Sequence, residues 1–198
     1  GISRAFGTRL TYPQIEDLGN VILLTELPLA DGTTQVIACT QEIGNANMNL
    51  YCYDTASSAW TQKAQGLRRL ISCFVYANKL YWLDGLAYKV YDGSMVDDVE
   101  EEGSSNLWSK ICSAIAVEQR GQRWFFATRD NEIIFTDVGY VNKFTATSVI
   151  NITSGKADRI TALHEFNDGL LVFQQRSVYY LTGWDFAGGA DVSLNRIN

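Results

Sequence analysis

A unit of two short β segments around a turn recurs along this chain and restricts its fold more than any other feature. Gln35–Thr40 is followed by Asn49–Asp54, Asn78–Gly85 by Ala87–Gly93, Gly121–Ala127 by Glu132–Asp137, and Asp168–Phe173 by Ser177–Gly183. Each pair is rich in β-branched and aromatic residues and bounded by Gly, Asn or Asp, which is the signature of a hairpin. Asn78, Gly121 and Asp168 hold equivalent turn positions, and Asp54 and Asp92 close equivalent second strands. An apolar strand is expected ahead of three units, at Leu70–Val75, Ile111–Val117 and Ile160–Phe166. A β-rich period of about 40–50 residues is that of propeller blades, small sheets of about four strands. Such a sheet cannot bury both faces alone, so it must stack on neighbours. The spacing predicts an all-β, β-propeller-like repeat of short antiparallel blades. About four units are expected over residues 21–198, as part of a larger propeller, after an N-terminal arm at 1–20. Helical signals are poor; Ser104–Lys110 caps at most a short turn before the Ile111 strand.

Composition narrows the function classes. Nine Phe, ten Tyr and five Trp among 198 residues supply enough burial to offset ordering entropy, which argues against a disordered chain. No apolar run reaches the 18 residues or so of a membrane-crossing helix, so no membrane partner is expected. The formal charge of −6 argues against a general nucleic-acid binder, which needs a basic face to neutralise phosphates. Cys39, Cys52, Cys73 and Cys112 form no Cys-x-x-Cys pair, and His164 is the one histidine, so the usual zinc patterns are missing. The cysteines read as small buried thiols of a protein folded in a reducing cytoplasm.

Several constellations invite a chemical reading, and each has a plainer one. The acidic run Asp97-Asp98-Val99-Glu100-Glu101-Glu102 lacks the alternating oxygens and central glycine of a calcium loop, and reads as a solvated acidic loop. Asp84 and Asp92 are the candidates for a glycosidase-type carboxylate pair, yet both precede glycine in turns, where Asp serves its own backbone. His164 has no Gly-x-Ser-x-Gly elbow in the chain to complete a triad. The aromatics of Trp124-Phe125-Phe126 and Gly183-Trp184-Asp185-Phe186 suit either sugar stacking or packing between blades, and strand spacing favours packing. Asn151-Ile152-Thr153 matches an N-glycosylation acceptor, which a cytoplasmically folded protein does not use. No catalytic, cofactor-binding or metal-ligating residue is assigned, and the chain is not expected to be an enzyme.

Three stretches carry a resemblance to a family. They are Phe6–Arg9 with Thr25–Ala38; Leu80–Gly85 with Val90–Gly93; and, most specifically, an ordered succession from Arg123 to about Asp185. That succession runs through Arg123–Ala127, Ile134–Gly139, Phe144, Ile160–Leu163, Phe166–Phe173 and Ser177–Gly183. In order, these resemble the β-propeller structural proteins of bacteriophage tails and head-to-tail junctions, including tail nozzle or tail tubular proteins. The resemblance implies a virion protein, assembled in the host cytoplasm, that forms part of a conduit for DNA ejection. It further implies a ring of identical subunits, neighbours among other tail or portal/adaptor proteins, and DNA that passes through without tight binding. An acidic wall fits that role physically, because like charge repels phosphates where a basic wall would hold them. The alternative reading is a propeller domain that binds host-surface glycans or another receptor.

Overall fold

The computed structural model describes residues 13–15, 19–41, 43–44, 47–152, 158–183 and 193–197. Described strands fall into four four-stranded antiparallel sheets, each a meander in chain order. The first holds β1 (Asn20–Pro28), β2 (Thr34–Gln41), β3 (Asn47–Asp54) and β4 (Ala59–Arg68). The second holds β5 (Ser72–Tyr76), β6 (Lys79–Leu83), β7 (Tyr88–Tyr91) and β8 (Val96–Asp98). The third holds β9 (Ala116–Arg120), β10 (Arg123–Ala127), β11 (Glu132–Phe135) and β12 (Val149–Asn151). The fourth holds β13 (Ile160–Phe166), β14 (Gly169–Gln174), β15 (Val178–Thr182) and β16 (Ser193–Ile197). One short helix, α1 (Trp108–Cys112), lies between the second and third sheets in the chain. The protein is all-β, and its described strands form four propeller-like blades.

The chain divides into two compact units, Gly1–Leu67 and Arg68–Asn198. In the first unit, Ile37 faces Cys52 and Cys39 faces Leu50 across the β2–β3 ladder, and all four are buried. Most of the expected N-terminal arm, residues 1–12 and 16–18, lies outside the described residues.

In the second unit, strand alternation assigns each side chain to a seam between sheets. Strand β10, Arg123-Trp124-Phe125-Phe126-Ala127, is buried along its whole length. Trp124 and Phe126 point into a core shared with Tyr81, Leu83 and Tyr88 of the second sheet. Phe125 and Ala127 point the other way, into a core shared with Leu163, Leu170, Val172, Tyr179 and Leu181 of the fourth. A strand buried on both faces loses the apolar–polar alternation of a half-exposed one, which is why β10 reads as a continuous apolar run.

The two-residue hairpins at the first turns are Ala77-Asn78, Gly121-Gln122 and Asn167-Asp168, closed by the pairs Tyr76↔Lys79, Arg120↔Arg123 and Phe166↔Gly169. Their first residues, Ala77, Gly121 and Asn167, all have positive φ (47°, 59° and 52°). The equivalence read from the sequence therefore shifts by one residue: Gly121 matches Ala77 and Asn167, not Asn78 and Asp168. Ala77 carries no turn signal of its own, so the eye falls on its neighbour.

A second correction concerns Ile111–Val117, expected as a strand. Trp108–Cys112 is helical and the strand begins at Ala116. The helix has no side-chain N-cap bond, and five residues cannot sustain a helix by propensity. Burial holds it: Ile111 is fully buried in the core, and Lys110 Nζ sits 2.6 Å from Glu132 Oε2 on β11.

Candidate functional site

The acidic run is the strongest charge feature of the sequence, and the fold divides it. Val96–Asp98 is the edge strand β8, so Asp97 and Asp98 belong to a ladder rather than to the expected loop. Asp98 faces Lys89 across the ladder, with Nζ and Oδ1 2.5 Å apart. Val99 turns inward, its amide donating to the Tyr88 carbonyl at 2.8 Å and its side chain packing on the core. Glu101 accepts from the Ser105 amide at 2.9 Å and from the Ser105 hydroxyl. Glu102 is 3.3 Å from Lys143, and its amide donates to the Asn142 carbonyl at 2.9 Å. Asp97, Asp98, Glu100 and Glu102 remain exposed, giving this sheet an acidic edge with two lysines set into it. No group of three or more His, Cys, Asp or Glu among the described residues is arranged to hold a metal ion.

Asp84 and Asp92 lie at opposite ends of β7. Asp84 Oδ1 accepts from the amides of Leu86 (2.8 Å) and Ala87 (2.7 Å), and Asp92 Oδ1 from those of Ser94 (2.8 Å) and Met95 (2.9 Å). These two amide bonds hold the Asp92 carboxyl below its ordinary range, that of Met95 most strongly. Gly85, at φ 88°, follows Asp84, and it is this left-handed backbone that favours glycine there, since the one atom a Cβ would crowd is the terminal Cδ1 of Ile71, which can give way. The two carboxylates are turn builders in one repeated Asp-Gly-x-x pattern, and the strand between them keeps them from facing one another.

His164 stands exposed on β13, its Nδ1 3.8 Å from Glu118 Oε2 on β9 of the preceding sheet. Composition drew the eye to His164, but Glu118 is the more unusual group. Its carboxylate is half-buried in the seam where β9 and β13 run side by side. It accepts the Gln119 amide at 3.2 Å and, across the seam, hydrogen bonding from the Glu165 backbone. Burial nevertheless raises its pKa, and the charge of Glu165 adds to the rise. The neighbouring seam uses the same device with a neutral group, the Val117 amide of β9 donating to Ser72 Oγ of β5 at 3.1 Å. First strands of blades thus satisfy edge amides with a side chain from the blade before.

Trp82 and Trp124 are buried to 1% and 0%, so the aromatic runs of these strands form cores. Trp184 and Phe186 lie outside the described residues. Asn151 is exposed at the end of β12, but Ile152 is 2% exposed and Thr153 lies outside the described residues. None of the four cysteines is in a disulfide: Cys39 and Cys52 are buried, Cys73 and Cys112 half-buried. Burial pushes the Cys73 thiol up to about 11, into the inert range of a structural cysteine. No helix among the described residues is long and apolar enough to cross a membrane.

Two polar residues that sequence reasoning passed over knit the third and fourth sheets. Asn131, at φ 60° in the β10–β11 turn, donates from Nδ2 to the Asp158 carbonyl and accepts at Oδ1 from the Ile160 amide, both at 2.9 Å. Asp158 in turn accepts at its carboxylate from the Arg176 amide (2.8 Å) and the Ser177 hydroxyl. An Asn in a turn is an ordinary signal, and its partners 27 and 29 residues away are invisible locally.

No protein-family model matches the chain, and no curated protein matches it.

Proposed function

We propose that this chain is a structural component of a bacteriophage virion, a blade-bearing subunit of the tail nozzle or head-to-tail conduit through which DNA leaves. Its partners in this reading are identical subunits in a ring and adjoining tail or portal/adaptor proteins. Support comes from the ordered succession of blade motifs and from how side chains are spent. The candidate catalytic aspartates build turns, and the described tryptophans of the central strands fill cores. The observation that carries the reading is the acidic edge at Asp97–Glu102, where exposed carboxylates outnumber the two lysines set among them. Such an edge repels duplex DNA and suits a strand that must slide rather than stay.

Antibodies raised against the chain should decorate the tail or its junction with the capsid in electron micrographs of virions that contain it. Filter retention of duplex DNA by the purified chain should stay at background at physiological salt. Label absent from particles, or on the capsid shell alone, would sink the proposal, as would salt-sensitive retention of DNA. Specific capture on a glycan array would transfer support to the receptor-binding reading.

A further inference from the structure

An arginine opens the apolar run of β10, and nothing in the packing of blades calls for one. By strand alternation Arg123 shares its face with Phe125 and Ala127, in the seam between the third and fourth sheets. It is 8% exposed, its guanidinium carbon 5.5 Å over the Phe135 ring and its Nη1 donating to the Thr136 carbonyl. Its Nε is buried with no acceptor among the described residues. Directly across the ladder, and so on the same face, stands Arg120, whose Nε is likewise buried without an acceptor. Neither arginine has an ion pair among the described residues. Burial lowers the pKa of Arg123 and the charge of Asp137 opposes the shift, but a guanidinium stays protonated in a protein. Two cations thus face each other across one rung, partly stripped of water. Like charges so placed destabilise a sheet, and a buried charge without a partner is costly. The nearby carboxylates are engaged elsewhere. Asp168 feels the charge of Arg120, yet its carboxylate accepts the Tyr180 hydroxyl at 2.5 Å. Asp137 accepts the Thr145 hydroxyl at 3.1 Å. Glu118 accepts the Gln119 amide at 3.2 Å and lies 3.8 Å from His164.

We propose that the Arg120–Arg123 rung is a binding site for a small tetrahedral oxyanion of the phosphate class. A doubly charged ion neutralises both guanidiniums, and its oxygens supply the acceptors that the two Nε groups lack. Arginine forks match such an ion with paired hydrogen bonds. A carboxylate carries one charge and would leave one cation unpaired. Gly121 and Gln122, the turn beside the rung, are exposed, so the hairpin end opens to solvent and gives the ion a way in. The Nε atoms lie below the surface, within reach of a free ion but not of a phosphate held in a nucleic-acid backbone. Asp137 and Asp168 flank the rung and oppose any anion attracted by field alone, so direct contacts must hold this one. The site goes beyond the virion reading and does not depend on it.

Thermal unfolding of the whole chain in inorganic phosphate and in chloride, at matched pH and ionic strength, tests the proposal. An ion that binds the native state alone raises the melting temperature as its concentration rises. Phosphate also stabilises proteins by exclusion from their surfaces, so the comparison is with Arg120→Gln, which shares that general effect. In chloride the variant should be as stable as wild type or more so, because it relieves the repulsion across the rung. In phosphate the wild type should overtake it. An equal gain from phosphate in both proteins overturns the site, and so does a variant weakened by the same amount in both salts, which is what a merely structural arginine would give. If Arg120→Gln does not fold by circular dichroism, phosphorus NMR of inorganic phosphate with the wild-type chain decides. The phosphate line should broaden on adding protein and sharpen again with excess sulfate, but not with acetate or a short single-stranded oligonucleotide. No broadening overturns the site, and displacement by acetate or by the oligonucleotide overturns its assignment to a small tetrahedral ion. In a folded variant the apparent affinity for phosphate should fall about tenfold or more.

Discussion

The two seams of the second unit share a geometry and differ in chemistry. Between the second and third sheets the core is aromatic: Tyr81, Tyr88, Trp124, Phe126 and Phe144 are buried in it, with Phe74, Tyr76 and Trp108 packed against it. Rings meet there at close range, Tyr76 edge-on to Trp124 at 4.4 Å and Phe74 stacked on Tyr81 at 5.1 Å. Between the third and fourth sheets the core is mostly aliphatic, built on Ile133, Ile152, Ile160, Leu163, Leu170, Val172 and Leu181. That seam adds the Asn131 bridge and the half-buried Glu118 carboxylate, which the aromatic one lacks. The contrast shows two ways to hold blades together. Large rings bury more area per residue and gain from mutual orientation. Both seams also carry hydrogen bonds, the aromatic one from the Val117 amide to Ser72 and from Asn142 to the Glu100 carbonyl, so the difference lies in the size of the buried side chains.

Removing a ring should therefore produce the largest loss. Trp124→Ala empties a fully buried site and should cost about 3–5 kcal/mol in urea unfolding. Leu170→Ala in the other seam should cost about 2–4 kcal/mol. Trp124→Phe sharpens the test, because the Trp124 indole N–H is buried with no acceptor among the described residues. Phenylalanine keeps most of the packing and removes that unpaired donor, so its loss should be well under half that of alanine. Equal costs for Trp124→Ala and Leu170→Ala would mean that ring packing does not distinguish the seams.

The same contrast explains what the sequence made legible. Strand β13 occupies Ile160–Phe166, the span read from its apolar pattern, and β10 stood out because burial on both faces leaves an uninterrupted apolar run. Outer strands such as Val96–Asp98 and Ser193–Ile197 went unread, since three to five largely exposed residues carry neither alternation nor apolar content. Ile111 looked like the start of a strand because an apolar residue in a short window signals burial without saying which element buries it. Of the site, the turn roles of Asp84 and Asp92 were readable because Asp-Gly is a local signal. Glu118 was not, because what perturbs it comes from β13, far along the chain.

Hydrogen bonds at the aliphatic seam should weigh less than rings but should be separable from backbone strain. Asn131→Ala removes both bonds to the Asp158–Ile160 segment and places an alanine at φ 60°, for a loss of about 1–3 kcal/mol. Asn131→Gly removes the same bonds but tolerates that φ, so the difference between the two variants reads the strain less the extra entropy glycine loses on folding. Thermal melts of both, against wild type, check it. If glycine restores full stability, the bridge contributes nothing and the seam is held by its aliphatic core.

The smallest expected effect is a pH dependence confined to the aliphatic seam. Burial raises the pKa of Glu118 in the folded chain above its ordinary value of 4.5, with the Glu165 charge acting the same way and the Gln119 and Glu165 amides and His164 opposing it. A carboxyl with a raised native pKa binds its proton more tightly when folded than when unfolded. Between that raised value and 4.5, the native state therefore holds more protons, and stability falls as pH rises through the window. Above it, the charged carboxylate is a standing destabilising element; below 4.5, where both states are protonated, the penalty is gone. The ionisable groups around it are Glu165 and His164 on β13. Arg120 on β9 is two residues along the same strand. Glu118→Gln removes the titration while keeping a group that accepts backbone amides. Wild type should thus gain stability relative to Glu118→Gln as pH falls from neutral toward 4.5, in urea titrations run in parallel. A relative loss over that range would show that hydrogen bonding to the charged form outweighs burial, and that this seam depends on a carboxylate anion instead of tolerating one.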